Sequence, residues 1–462
     1  VKRYAIWAAA LLVLMCLTMW LTRHTETMLI HEDELLSYVF TAYPFDVVAR
    51  MERDTHLPLW WLQFWVWWRM VGETEFAGRW NSILILMITL AMLYQVGRVW
   101  FKSPLIGMGG MALFAIHPYA LNHALDIRPY TLSLLTALLS TWFLWRWLQQ
   151  PTARRARIYG VAVAVMLYTH YYLAALAVAQ GIFALLARRQ RACWGQMAQA
   201  FALVLAAWGL WLPVMLRHIE HLRRVTRPLD ARDTLSPSPT LITSPETFSH
   251  FLDLNTAGFW VLLLAGALAG LALGRHRLAL LLGLTIFLLP TSAVLLANTR
   301  VSLFTERYMV FVLWGAILTA MAVWAVFRPA WLRAGAVGVT LVGVALYSPL
   351  WQKPHPPVRT VYQTLAQSLL EGDAIVLDVV RNVPLAPEYY VPREYPLPVP
   401  ITPEEVHQYG RFWHVSDNLY DAAIFQRFEA MRQQYEIQAV IGECDTSRCF
   451  IAHLFQAPPK PE

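Results

Sequence analysis

Charge is scarce in this sequence. Only 15% of its 462 residues are Asp, Glu, Lys or Arg, against about 25% in soluble domains, which excludes an ordinary water-soluble globule. Cysteine is scarcer still: four residues, too few and too scattered for a small disulfide-stapled scaffold. No internal repeat of recognisable period and no low-complexity tract is present. No small-x-small cleavage site follows the first apolar run, Tyr4 to Leu21, in "LTMWLTRHTET", so that run is read as an uncleaved first helix and not as a secretory signal. The formal charge of +7 is not gathered into one basic stripe, so nucleic acid is not an expected partner.

What is abundant is apolar surface. Hydrophobic residues make up 57% of the chain, including 21 Trp. Runs at 79–96, 129–145, 197–216, 258–273, 278–297, 308–327 and 331–350 each approach the roughly 20 residues that cross a hydrocarbon core. With the less clear segments, about eleven crossings are expected. If Lys2 and Arg3 are cytoplasmic, the Arg-bearing loops around Arg98 and Lys102, Arg154 to Arg157, Arg188 to Arg191, Arg275 and Arg277, and Arg328 and Arg333 share that side. Residues 158–188 form a 31-residue stretch, ~46 Å as one helix. Two short spans meeting near "THYY" fit the charge pattern better.

Two regions differ from plain spans. "LPLWWLQFWVWW" has only twelve residues and is apolar all round, too short to cross. It is expected to lie as an interfacial helix, with Trp60, Trp61, Trp65, Trp67 and Trp68 at the headgroup boundary. After Pro349 the composition changes, "QKPHPPVR" reads as a linker, and residues 351–462 form a small soluble α/β domain appended to a membrane domain of residues 1–350. Its expected elements are a helix over 361–370, a strand at "AIVLDVV", a helix over 420–434, and strands at "IQAVIG" and "CFIAHLF". Cys444 and Cys449 flank "DTSR", where a disulfide could form in an oxidising compartment.

Ionisable groups are expensive at membrane depth, so their placement carries information. They gather in the loops opposite the Arg-rich side: His31, Glu32, Asp33 and Glu34; Asp54 and His56; His123, Asp126 and Arg128; His170; Arg300, Glu306 and Arg307. Paired carboxylates can deprotonate a hydroxyl or hold a divalent cation. Arginine suits a phosphate because its planar fork donates two parallel hydrogen bonds. A helix-terminal charge pair at Asp33 and Glu34, a structural ion pair at Asp126 and Arg128, and a snorkelling Arg307 remain open readings of these residues alone. His31, His117 and His123 are separated by a whole helix and lack Cys partners, so they read as ordinary interfacial histidines and not as a metal site.

"HEDELLS", followed by "DTHLPLWWLQFWVWWRMVGETEFAGRWNS", "DIRPYTL", "LYTHYYL" and "TERYMVF" in that order, resembles the bacterial family 39 glycosyltransferases, relatives of protein O-mannosyltransferases and the lipid A aminoarabinose transferase. The resemblance covers about residues 1–350, with Leu57 where the family usually shows the first of two prolines. It implies an all-α polytopic membrane protein of the GT-C fold. Such an enzyme, a hexosyl- or pentosyltransferase, moves a sugar with inversion from a polyprenyl-phosphate donor to a hydroxyl of a protein, lipid or glycan on the exterior leaflet of the bacterial inner membrane. By matching positions, Asp33 becomes the general base, with Glu34 and Asp126 as further catalytic acids. His56, Arg128, Tyr130, His170, Arg307 and Tyr308 become substrate-binding residues, and Asp33 with Glu34 the holders of Mg or Mn if a metal is used. A transporter or carrier-lipid flippase is the competing reading, but such proteins usually show repeats and midplane polar groups. A membrane-anchored scaffold, the third, would not need the acidic loop.

Overall fold

The computed structural model describes residues 2–25, 34, 37, 57–117, 120–121, 123–188, 190–225, 257–298, 306–347, 358–378, 391, 394–416, 422–444 and 449–458. By internal contacts the chain forms two compact units, one of Val1–Thr25 with Phe40–Gln352, the other of Glu26–Val39 with Lys353–Glu462.

The first unit is helical. Its elements are α1 (Lys2–Thr25), α2 (Pro58–Val71), α3 (Glu75–Trp100), α4 (Pro104–Ile116), α5 (Tyr130–Gln149), α6 (Ala153–Leu167), α7 (Leu173–Ala187), α8 (Arg191–Gly209), α9 (Leu212–Val225), α10 (Ala257–Ala272), α11 (Arg277–Asn298), a 3-10 segment Glu306–Val312 running into α12 (Leu313–Val326), and α13 (Ala330–Tyr347). Among the described residues, three helices are individually long and apolar enough to cross a membrane: Glu75–Trp100, Arg277–Ala297 and Tyr308–Val326. The bent pair α8 and α9 is a fourth candidate, and shorter apolar helices accompany them. Large apolar side chains such as Leu11, Met15, Leu205 and Leu296 stand open on the outside, a surface suited to lipid and not to water.

Close helix packing depends on small residues. A Cβ added at Gly97 would lie 2.2 Å from the Gly107 Cα, and one at Gly160 would lie 2.6 Å from the Ala200 carbonyl oxygen. These contacts join α3 to α4 and α6 to α8 at backbone distance. Arginines of the connections tie off helix ends: Arg155 donates to the carbonyls of Arg146 and Gln150, and Arg275 to that of Val326. They therefore have a local hydrogen-bonding role.

Of three expectations here, one holds and two need amendment. The stretch 158–188 does break, with α6 ending at Leu167 and α7 beginning at Leu173, as the charge pattern suggests. The run expected as one crossing over 197–216 bends by 62° between Gly209 and Leu212, where Pro213, in the first turn of α9, has no N–H to continue the upstream hydrogen bonds. In α2, Trp60, Trp61 and Trp68 are buried within the protein and Trp67 donates to the Ala77 carbonyl. These tryptophans are packing residues, and Leu62, Val66 and Met70 form the exposed face. The amide groups of Gln63 and Asn81 bond reciprocally and fasten α2 to α3.

The second unit carries α14 (Val358–Ala366), α15 (Ala422–Gln434) and five strands: β1 (Ala374–Asp378), β2 (Val399–Ile401), β3 (Arg411–Ser416), β4 (Glu436–Cys444) and β5 (Cys449–Gln456). The sheet order is β2-β1-β3-β5-β4, with β1 parallel to β2 and β3, and β5 antiparallel to β3 and β4. Strands β2 and β3 are absent from the sequence reading. β3 is the central strand, and Phe412 through Ser416 are all buried. His414 and Ser416 interrupt its apolar run, so neither alternation nor continuity marks it as a strand. The β4–β5 register sets Cys444 opposite Cys449.

Asp378 joins this core through His414 Nε2 at 3.0 Å and Arg427 Nη2 at 2.7 Å. Burial opposes its charge, but the hydrogen bonds from His414 and Arg427 outweigh it and hold the carboxyl below its ordinary range. His453 lies beside Phe428, with ring centroids 4.7 Å apart, and His414 is 6.2 Å away. Burial, then the nearby His414, lowers its pKa from 6.5 to about 4. Protonation at His453 therefore favours the unfolded chain: the stability it supports is complete above pH 6.5 and is lost as pH falls toward 4. Calorimetry of the second unit's unfolding should show its midpoint dropping between pH 7 and 5, and His453→Phe should flatten that drop.

Candidate active site

The expected site residues of the first unit come from three connections at one end of its helices: 120–129 between α4 and α5, 168–172 between α6 and α7, and the 3-10 segment before α12. The first connection is fixed from α3. Arg79, fully buried, donates from Nη1 to the Leu125 carbonyl at 3.0 Å, while its Nε and Nη2 bond Glu75 Oε1 at 3.3 and 3.1 Å. One turn on, Ser82 donates to the Asp126 carbonyl at 2.6 Å. A buried arginine is tolerated because the i, i+4 carboxylate supplies its counter-charge and a backbone oxygen takes a further N–H.

So held, Asp126 Oδ2 meets His123 Nδ1 at 2.8 Å, and Arg128 is buried two residues later. Tyr130 opens α5, its ring 5.1 Å edge-on from His123 and 6.4 Å from Tyr308. Tyr308 stands 4.8 Å from His170 and 5.3 Å from Tyr172 between ring centroids. The His170 Nδ1 accepts the Tyr172 backbone N–H at 3.3 Å, and the Leu59 N–H of α2 donates to the Tyr168 carbonyl at 3.1 Å. Asp126, Tyr130, His170 and Tyr308 are thus linked through His123 and a chain of ring contacts, and Arg128 is buried in the same connection as Asp126.

Asp33 and His56 lie outside the described residues, as do His31, Glu32, Asp54 and Arg300. Of Arg307 only the backbone is described, within the 3-10 segment. Glu34 is described: it is helical and buried. Among the described residues no group of three His, Cys, Asp or Glu side chains is placed to hold a metal; the metal reading concerns Asp33 and Glu34, and Asp33 is not described. His123, read from sequence as an ordinary interfacial histidine, is the partner of Asp126; its spacing three residues before the acid was the available signal. Tyr172 was visible only as part of "THYY". Arg79 and Glu75 carried a clearer mark, opposite charges four apart at the start of an apolar helix.

An acid paired with an imidazole can accept and pass a proton. A buried guanidinium can neutralise a phosphate, and clustered Tyr and His rings offer polar edges and flat faces to a ring-shaped ligand.

The fold is that of the GT-C glycosyltransferases. It superposes on ArnT from Cupriavidus metallidurans in the apo state with a TM-score of 0.57 at 12% identity, covering 98% of this chain and 97% of that one. The same protein bound to undecaprenyl phosphate gives 0.57 at 13%, covering 98% of each. The archaeal oligosaccharyltransferase AglB from Archaeoglobus fulgidus, in complex with an inhibitory peptide and a dolichol-phosphate, gives 0.50 at 9%, covering 97% of this chain and 74% of that one. Residues 55–215 match the family described as dolichyl-phosphate-mannose-protein mannosyltransferase, a segment that includes α2 through α8 and two of the three site connections. By fold, therefore, the chain is similar to these GT-C proteins, and over residues 55–215 its sequence is similar to the dolichyl-phosphate-mannose-protein mannosyltransferase family. No curated protein sequence matches.

Replacing Arg79 by Met would leave Glu75 buried without its cation, a change that costs about 3–5 kcal/mol in comparable sites. The thermal midpoint in detergent should fall sharply for Arg79→Met and recover in part for the double variant Glu75→Gln with Arg79→Met.

Proposed function

We propose that the protein is a glycosyltransferase that moves a sugar from a polyprenyl-phosphate-linked donor to an acceptor hydroxyl. The observation that carries this is the convergence of Asp126, Arg128, Tyr130, His170 and Tyr308 at one end of a GT-C bundle. It is supported by two solved relatives by fold, one bound to undecaprenyl phosphate and one to a dolichol-phosphate.

In this mechanism the donor's phosphate lies against Arg128 and Arg307. The acceptor oxygen attacks the anomeric carbon from the opposite side, the bond from that carbon to the phosphate oxygen breaks, and the configuration inverts. Asp33 takes the acceptor's proton, a role that rests on the "HEDELLS" motif, and Glu34 supports it. Negative charge grows on the leaving phosphate, so arginine there favours the transition state over the bound donor. Asp126, hydrogen-bonded to His123, orients the ring hydroxyls and shares the proton inventory of the pocket, while Tyr130, His170 and Tyr308 line it and His56 contributes from the first loop. The active site and the sheet unit face the exterior side of the bacterial inner membrane, as the alternation of Arg-bearing and site-bearing connections suggests. Either a hexose or a pentose satisfies this chemistry, as does a protein, lipid or glycan acceptor.

Purified protein supplied with labelled polyprenyl-phosphate sugars and mixed acceptors should form product without any ion gradient. Absence of product with every such donor would sink the reading, and gradient-dependent movement of the lipid would put a flippase in its place. Arg128→Gln should lower turnover by about 10²–10³-fold, the loss typical of removing one preorganised charge-stabilising donor. Asp33→Asn should abolish transfer while the protein still inserts; near-normal transfer in that variant would remove Asp33 from the role of base.

A further inference from the structure

Along α6, with its head at the end away from His170, a groove with a cavity volume of about 660 Å³ opens between α5, α6 and α8. That is within the range of about 300–1,000 Å³ found for small-molecule sites. Its walls are aliphatic and aromatic, including Phe143, Ile158, Val161, Val165 and Leu203, and two cations, Arg154 and Arg157, stand at its head. Both arginines are exposed, and among the described residues neither makes a hydrogen bond or an ion pair. Neighbouring Arg155, by contrast, is engaged with the end of α5. The first turn of α6 contains no acidic residue, so no carboxylate of that turn competes for the two charges, and the helix's own N-terminal dipole adds to them.

We propose that this groove binds an anionic phospholipid, its phosphate between Arg154 and Arg157 and one acyl chain lying along α6. Charge complementarity selects the headgroup, since basic pockets between membrane helices favour anionic lipids. Length selects the chain: Arg154, Arg157, Val161 and Val165 fall on one side of the helix. From Arg154 to Val165 the axis rises ~16 Å, about half of a ~30 Å hydrocarbon core, so one leaflet's chain fills it. The site is separate from the donor's carrier phosphate, which belongs at the opposite end of α6 beside His170. At its deep end the chain reaches Thr136, whose hydroxyl lies 3.4 Å from that of Thr169 in the 168–172 connection. The lipid therefore rests against the backbone that positions His170.

The test uses the full chain in nanodiscs of phosphatidylcholine doped with phosphatidylglycerol, reading lipid retention by native mass spectrometry and the thermal midpoint. Phosphatidylglycerol should be retained and should raise the midpoint, while phosphatidylethanolamine at the same fraction should do neither. The double variant Arg154→Gln, Arg157→Gln should weaken retention by about 10- to 30-fold, from two lost charge contacts. Ala162→Trp, which fills the groove and leaves both arginines, should weaken it as well. Equal retention of the zwitterionic lipid by the wild type overturns the proposal even if the variants fail to fold. So does unchanged retention in either variant, or displacement of phosphatidylglycerol by stoichiometric polyprenyl phosphate, which would make the groove part of the carrier's path.

Discussion

The connection that carries Asp126 and Arg128 depends on one buried cation. Among the described residues Arg79 donates to a carboxylate one turn back on its own helix and to the carbonyl of Leu125 across the bundle. With Ser82 on the next residue's carbonyl, this fixes a connection that has little regular structure of its own. Backbone groups in such a segment must find partners within the protein, and α3 supplies them. The position of Asp126 relative to His123, of Arg128 within the bundle and of Tyr130 at the start of α5 all follow from where that loop is anchored. The chemistry stands on this connection, but its geometry is set from behind, by α3.

The bundle works as a frame because successive connections alternate in kind. Those holding Arg155 and Arg275 tie off helix ends with guanidinium-to-carbonyl bonds, and those at the other end carry imidazole, phenol and carboxyl groups. The close approaches at Gly97 and Gly160 leave little room for helices to slide, so the three site connections keep their mutual register. Buried polar side chains reinforce this: Gln180 of α7 donates to both Ser140 and Thr141 of α5 and accepts from Tyr159 of α6.

Much of the frame was legible in the sequence because membrane helices announce themselves by composition and Arg placement. The break near "THYY" was legible for the same reason, since charge marked both ends of a stretch too short for two full spans. The constellation of Asp126, Arg128, Tyr130, His170 and Tyr308 was readable only as an ordered set of motifs; each pair of residues is unremarkable alone. What stayed hidden depends on tertiary context. The inward turn of the α2 tryptophans cannot be seen in a segment apolar on every side, and the bend after Gly209 depends on where Pro213 falls in the turn. Strand β3 escaped because a strand buried on both faces carries His414 and Ser416 when neighbours such as Asp378 satisfy them, and sequence does not show those neighbours.

Several helices that end at the site are short: α4 has 13 residues, and α6 and α7 have 15 each. At 1.5 Å per residue they span ~20–22 Å, well under the ~30 Å of an average hydrocarbon core. A bilayer adapts to such hydrophobic mismatch by thinning locally. A leaflet that thins around these helices would dip toward the midplane as a shallow depression. A lipid diffusing laterally into it would bring its headgroup down to the level of the protein's polar loops, without having to be lifted out of the bilayer.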